Sequence, residues 1–538
     1  MAPAIDSITQ CREPARKAGE DVVIGIQLSI QAARRPHDIA IVFGQQRWTY
    51  RDLHRRSCRL AAGLSSLGVT RGDRVATLLH NSPHCIEALF ACALLGAVCV
   101  PFNFRLVARE IGLQLQSATP KVLLAGEGFA AVLDGLPADA PRPDHVRWLD
   151  DEPATDNRRD HPHEVWLAAQ PDAEPPQCAA SEDMLMLLHS SGTTGLPKGV
   201  IFTHGTTFAS CNAKIIDFGL RDDDVTVVFG PLFHAGPLMD LALPLLLRGG
   251  RLVIGASRHF EAQGLLETIA AERGTVIPIY PTMLRRVLAT PADPALDLSC
   301  LRLIITGGEA APLPVILGTH DRFPWVDFVN NYGSTEGGPV TTFLPAAESR
   351  SRTGSVGRES FGVQVRIADA TGQPLGAGEV GELLVRSPFV CGGYWHRPEA
   401  TAAALRDGWW WTGDLARRDA DGCLWITGRS KDMIKSGAEN IYPIEVEQAI
   451  AALPGVVEVG VIGVPDEQWG ETVAAFVVVE PDSGLDAARV VAHCREQLAS
   501  YKKPRHVRFV DSLPRGTTSK VDKNRLRAIW AATAGADR

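Results

Sequence analysis

Residues 188 to 200, Leu-His-Ser-Ser-Gly-Thr-Thr-Gly-Leu-Pro-Lys-Gly-Val, constrain the fold more than any other stretch of the chain. The apolar run Met184 to Leu188 just before them supplies a short strand. Gly192, Gly195 and Gly199 let backbone approach an anion with no Cβ in the way. Ser190, Ser191, Thr193 and Thr194 add hydroxyl donors, and Lys198 adds a positive charge. Strand, hydroxyls, glycines and lysine in that order predict a phosphate-holding loop. The Walker loop is excluded, because it needs Gly immediately before Lys and Ser or Thr immediately after, and here the neighbours are Pro197 and Gly199.

The residues ahead of this loop alternate between strand and helix patterns. Ile39 to Phe43 and Arg47 to Thr49 predict a hairpin turning at Gly44 and Gln45. Thr49 with Asp52 predicts a capped helix start; Leu53, Leu60, Leu64 and Leu67 recur at helical spacing, and Gly68 closes the helix. Val75 to Leu79 is an apolar strand, 85 to 98 a helix, and Val98 to Pro101 a further strand. Such alternation predicts an α/β domain with a largely parallel sheet. At 538 residues the chain exceeds what one core serves, so at least two domains are expected. Residues 136 to 182 are rich in Pro, Asp and Arg and predict a surface connection, with His161 and His163 in an exposed loop and no metal role.

Charge and cysteine usage exclude several classes. A net charge of −8 leaves no basic excess for nucleic acid. Eleven cysteines without a Cys-x-x-Cys pair form neither a disulfide framework nor a zinc site, and point to the reducing cytoplasm. Residues 1 to 20 lack the apolar stretch of a signal peptide and are expected to be a loose tail. Ala88 to Phe102, the longest nearly apolar run, is too short to span a bilayer.

Small and polar residues then cluster after apolar strands: Thr306-Gly307-Gly308-Glu309 after Leu301 to Ile305, and Asn330-Asn331-Tyr332-Gly333-Ser334-Thr335-Glu336 after Phe328 and Val329. Carboxyl ends of strands in an α/β sheet are where ligands bind. Further on, the patterns around Val363 to Ile367 and Gly381 to Val385 predict a smaller β-rich subdomain, and Trp409-Trp410-Trp411 is assigned to packing. Strands at Val456 to Val464 and Thr472 to Val479 and a helix at Ala487 to Leu498 predict a compact α+β unit at the end of the chain.

The stretch Ser190 to Gly199 resembles the nucleotide-binding signature of the adenylate-forming superfamily, which includes acyl-CoA synthetases, aryl-CoA ligases, peptide-synthetase adenylation domains and firefly luciferase. The other motifs follow in order from about residue 40 to 530. The resemblance implies a large multi-subdomain adenylation domain over residues 1–430, a hinge at Lys431, and a small mobile α+β domain over 432–538. It gives the β and γ phosphates of ATP to the loop Ser190, Ser191, Gly192, Thr193, Thr194, Gly195 and Lys198, with Thr194 also catalytic. Gly308 and Glu309 would offer backbone to adenine, Tyr332 would stack on it beside Gly333, Thr335 would meet the α-phosphate, and Glu336 would hold Mg²⁺. Asp414 would accept the ribose hydroxyls and Arg429 complete the ribose and phosphate contacts. Lys435, Ser436 and Gly437 would face the pantetheine of coenzyme A. Lys520, in Pro514-Arg515-Gly516-Thr517-Thr518-Ser519-Lys520, resembles the terminal catalytic lysine, although Ser519 stands where the family usually has Gly. His234, Gly307, Gly338, Pro339 and Val340 would line the acyl pocket, with His234 at its mouth.

The implied activity is an AMP-forming acid–thiol ligase acting on an apolar carboxylic acid, a fatty acid first, with aryl or alicyclic acids as the alternative. No acidic residue stands out to hold an amino-acid ammonium, which favours coenzyme A over a carrier protein. A degenerate, non-catalytic nucleotide or acyl sensor is the remaining class, disfavoured by the presence of Glu336, Asp414, Arg429 and Lys520. The expected partners are therefore the acid, ATP and CoA, with no nucleic acid, no integral membrane segment, and a homodimer left open.

Overall fold

Three sheets share one core, and a fourth sheet near the carboxyl terminus has its own. The computed structural model describes residues 22–150, 161–190, 197–258, 260–436, 439–466, 468–481, 483–516 and 520–533. The expected tail at 1–20 therefore lies outside the described residues.

A nine-stranded sheet runs Arg358–Glu359, Gly338–Leu344, Asp327–Ser334, Leu303–Thr306, Val276–Ile279, Val225–Val228, Arg251–Ile254, Ile39–Phe43, Gln46–Thr49. The six strands from Asp327–Ser334 to Ile39–Phe43 are parallel, and the edges are antiparallel. A six-stranded sheet runs His145–Leu149, Val122–Gly126, Arg74–Leu78, Val98–Pro101, Met184–Ser190, Lys198–Thr203. Only its last pair is antiparallel.

The helix Pro83–Leu95 is almost wholly buried, as its apolar run from Ala88 to Leu95 requires. It packs in one cluster with Val75, Cys99 and Leu185 of the six-stranded sheet, Ile41, Val228 and Leu252 of the nine-stranded sheet, and Leu383, Val385 and Trp410 of an antiparallel sheet. That third sheet is built from Gln364–Ala368, Val380–Arg386, Leu405–Arg406, Trp409–Arg418 and Leu424–Arg429. The helix stops at Gly96, whose φ of 68° reverses the chain two residues before the predicted end. The helix Tyr50–Ser66 carries the expected capping box between Thr49 and Asp52 and buries Leu53, Leu60 and Leu64.

The remaining sheet, Glu439–Ile441, Ile434–Ser436, Gly470–Val479, Val456–Asp466 and His506–Phe509, packs on separate clusters centred on Val446, Val461 and Val477 and on Ile462, Phe476 and Leu526. The single 3-10 turn Ser430–Asp432 joins it to the sheet before it, and Lys431 there is exposed. Arg285 reaches across to it, donating to the Val457 carbonyl and lying 3.6 Å from Glu458.

Residues 136 to 182 are more than a surface connection. They add the edge strand His145–Leu149 and the helix Pro162–Ala168, and His163 is 1% exposed rather than in an exposed loop. Only a few apolar residues are needed to seat so short a helix, which is why periodicity failed to reveal it. Arg56 there donates to Glu164 at 2.6 and 2.7 Å and to the fully buried Glu87 at 3.2 Å, and Glu87 in turn meets His84 Nδ1 at 2.9 Å. His84, His163 and Glu164 offer ligand atoms within 4.8 Å of one another, but the guanidinium already neutralises the carboxylates. Among the described residues no cysteine is in a disulfide, and no helix is long and apolar enough to cross a membrane.

Candidate active site

Four neighbouring parallel strands end on one side of the nine-stranded sheet, and the segments that leave them enclose a cleft of about 150 Å³. Val225–Val228 leads to Gly230 and His234, Val276–Ile279 to Tyr280, and Leu303–Thr306 to Gly307 and Gly308. Asp327–Ser334 runs further than predicted, pairing Ser334 with Gly338, so Thr335 and Glu336 lie in a hairpin turn. Lys520 closes the cleft from the C-terminal unit. The geometry thus brings His234, Gly307, Gly308, Gly333, Thr335, Pro339 and Lys520 to a single opening.

Beside this opening the charged groups are linked. Tyr332 Oη donates to Asp414 Oδ2 at 2.6 Å, and Arg429 Nε donates to Asp414 Oδ1 at 3.0 Å. Burial and Asp414 push the Tyr332 phenol far above its ordinary range, so it stays a donor. Tyr394 Oη donates to Glu336 Oε1 at 3.1 Å, while Lys198 Nζ lies 4.7 Å from the centre of the Tyr394 ring. One aromatic side chain therefore joins the loop lysine to the candidate magnesium carboxylate. Lys520 is exposed as a residue, yet desolvation at the cleft and the Arg429 guanidinium lower its ammonium pKa, against the pull of Asp414, Glu309 and Glu336. Burial, Arg105 and Lys520 bring His234 down to about 3, so its imidazole is neutral.

Other expected residues lie elsewhere. Val340 is fully buried against Phe218 and Leu241 instead of lining the cleft, because alternate residues of a strand face opposite sides and Pro339 takes the cleft side. Gly338 faces the Phe389 ring, where a Cβ would come within 2.7 Å. The Glu309 carboxylate accepts from Thr282 N at the start of the helix Pro281–Ala289. Gly199 sits within the strand Lys198–Thr203, where its missing Cβ makes room for Leu187 rather than for an anion. Lys435 and Ser436 lie in the strand Ile434–Ser436, which pairs with Glu439–Ile441, and neither lines the cleft. Ser190 ends the strand that pairs with Lys198. Ser191, Gly192, Thr193, Thr194, Gly195, Gly437 and Ser519 lie outside the described residues.

Sequence reasoning passed over Tyr394, Tyr280 and Asp240. Tyr394 is 58 residues from Glu336, and only the preceding glycine pair marks its loop. Asp240 is an acid in an otherwise apolar run, Leu238 to Leu247, a break in pattern that could have flagged it. It lines the cleft, in a chain whose sequence pointed to no acidic residue for an amino-acid ammonium.

Two family models match the chain: AMP-binding enzyme over residues 28–395 and AMP-binding enzyme C-terminal domain over residues 445–520. The chain is 39% identical to a feruloyl-CoA synthase of Amycolatopsis sp over 92% of its length and 97% of that protein's. It is 35% identical to a long-chain-fatty-acid–CoA ligase of Mycobacterium tuberculosis over 90% of its length and 94% of that protein's. A crystal structure of the anthranilate CoA ligase AuaEII in complex with anthranoyl-AMP superposes with a TM-score of 0.88 at 27% identity, covering 95% of this chain and 98% of that one.

Proposed function

Because the chain belongs to the AMP-binding enzyme family, we propose that it is an AMP-forming acid–thiol ligase that converts an aryl carboxylic acid to its CoA thioester. The observation that carries this reading is the presence of Lys520, His234 and Thr335 around one cleft of about 150 Å³. The likeness to a feruloyl-CoA synthase and to an anthranilate CoA ligase puts an aryl acid ahead of the fatty acid expected from sequence.

Adenylation brings a carboxylate to the α-phosphorus of ATP, and two anions approach only if their charge is neutralised. Lys520 would span the carboxylate and the bridging oxygens. Lys198 would leave the Tyr394 ring for the β and γ phosphates. Asp414, held by Tyr332 and Arg429, presents a fixed acceptor for the ribose hydroxyls. Glu336 suits Mg²⁺, being a carboxylate oriented by one phenol in the turn next to Thr335. When bound there with ATP, the ion would neutralise charge between phosphates.

Thiolation needs Lys520 withdrawn so that a sulfhydryl can reach the adenylate. The exposed turn Ser430–Asp432 would be the hinge for that rotation, carrying Lys435 and Ser436 toward the cleft. The test is release of AMP and pyrophosphate across a panel of aryl and alkyl acids with Mg²⁺, with CoA supplied or replaced by a holo carrier protein. Aryl-acid turnover that needs CoA supports the reading. Turnover with the carrier alone would move the assignment to carrier loading, and pyrophosphate release indifferent to the acid would sink it.

A further inference from the structure

The inner wall of the cleft holds polar groups that an unsubstituted hydrocarbon would leave unpaired. Asp240 lies in the π-helical turn Pro237–Ala242 and lines the cleft. Its Oδ1 is buried without a hydrogen-bond partner among the described residues. Tyr280, just after the strand Val276–Ile279, lines the same wall, and no described residue hydrogen-bonds its hydroxyl. Gly236 lies where the two meet. A Cβ on Gly236 would stand 3.5 Å from Tyr280 Oη and 3.6 Å from Asp240 Oδ2. With no side chain on Gly236, Tyr280 Oη and Asp240 Oδ2 are both left open to a ligand group lodged beside the Gly236 backbone in the cleft.

The chemistry of that point selects a neutral hydroxyl. Its oxygen accepts from Tyr280 Oη, and its own proton is donated to Asp240 Oδ2, the carboxyl oxygen on the Gly236 side, so one group engages both side chains. An ammonium has no lone pair for Tyr280. The cation that Asp240 would attract is already present as Lys214, fully buried outside the cleft, with its Nζ donating to Ser210 Oγ at 2.5 Å and 5.3 Å from the centre of the Phe389 ring. Burial pushes the Asp240 carboxyl up to about 7 against the pull of Lys214, whereas His234 responds to Lys520. The cleft thus has a Lys520 end, suited to the reacting carboxylate, and a Lys214 end, away from it.

We propose that Asp240 and Tyr280, facing one another across Gly236, form a subsite for a hydroxyl group on the acyl portion of the acid, remote from its carboxylate. The proposal rests on the aryl-acid CoA ligase reading and adds the substituent that the ring carries.

The experiment compares kcat/KM for thioester formation with cinnamic acid, its 3-hydroxy, 4-hydroxy and 4-amino derivatives, and octanoic acid, in the wild-type protein, Asp240→Ala and Tyr280→Phe. At least one hydroxylated acid is expected to exceed cinnamic acid by about tenfold or more, since unpaired buried groups penalise the analogue lacking the hydroxyl. That ratio falls by about tenfold in Asp240→Ala and several-fold in Tyr280→Phe. A ratio of two acids on one preparation is independent of how much of a variant is folded. An unchanged ratio in Asp240→Ala, or a wild-type preference for the amino, unsubstituted or alkyl acid, overturns the subsite. If no acid yields AMP, the ligase reading fails instead, and calorimetric titration of the same acids decides the subsite by the same ratios of Kd.

Discussion

Two buried polar clusters in this molecule are built from similar side chains and differ in whether their carboxylates are paired with a cation and whether they border the cleft. Around Glu87, the carboxylates meet Arg56 and His84 within 3.2 Å, although Glu87 Oε1, Arg56 Nε and both ring nitrogens of His163 lack hydrogen-bond partners among the described residues. Around Asp240, the carboxyl has Lys214 as a charged neighbour yet leaves Oδ1 without a partner, and Tyr280 and His234 Nε2 are also unengaged among the described residues. The first cluster holds helices together, its charges are paired, and none of its residues lines the cleft. The second is stable at a cost that only a ligand removes, and it borders the cleft. Burial of charge alone therefore does not mark a site; unmet hydrogen-bonding capacity facing an opening does.

The sharpest way to break this contrast is to cut each cluster and measure both stability and turnover. Arg56→Met leaves Glu87 buried without its cation and is expected to cost about 3 to 5 kcal/mol of unfolding free energy, with kcat of the folded enzyme unchanged. Chemical denaturation and an active-site titration read the two quantities. A loss of kcat in the folded fraction would mean that the two clusters are coupled.

Lys520→Ala reverses the pattern. Adenylation is expected to slow by about a hundredfold or more, roughly 3 kcal/mol of transition-state stabilisation, while CoA-driven consumption of supplied acyl-adenylate is retained. The melting temperature should hold, because Lys520 is exposed. Equal loss of both half-reactions would contradict the hinge.

Titration separates the clusters further. Burial alone would raise the Glu87 carboxyl, but Arg56 and His84 bring it from 4.5 down to about 2. A depressed folded-state pKa contributes stability that is present above 4.5 and disappears as pH falls through about 2. Wild-type unfolding free energy should drop across that window, and the drop should be shallower in Arg56→Met. A slope identical in the two proteins would remove Arg56 as its cause.

Tyr332→Phe is the smallest change. It removes one donor from Asp414 while Arg429 remains, and is expected to weaken ATP by about 1 kcal/mol, roughly fivefold in KM. An unchanged KM would mean that Arg429 alone orients the carboxylate.

Much of this was legible in the linear chain, and what was not shares a physical cause. Glu336, Asp414 and Lys520 stand in strings of small, polar and glycine residues that break strand patterns. The Thr49–Asp52 cap could be located from local spacing alone. Tyr394 and Tyr280 acquire meaning only through partners brought near by the sheets, and neither has a local signature. Asp240 sat in an apolar run whose helical periodicity points inward; the π turn Pro237–Ala242 aims it at the cleft, and no pattern with a 3.6-residue period predicts that. His163 was misplaced for the same reason, since its burial depends on Trp166 and His84 from another helix.

The bridge from Arg285 to the carboxyl-terminal unit is a light one. Its ion pair with Glu458, 3.6 Å long with side chains 33% and 22% exposed, is worth no more than about 1 kcal/mol. If the carboxyl-terminal unit turns as proposed, a latch so light would open on thermal agitation, and occupancy of the cleft rather than the clasp would govern its departure.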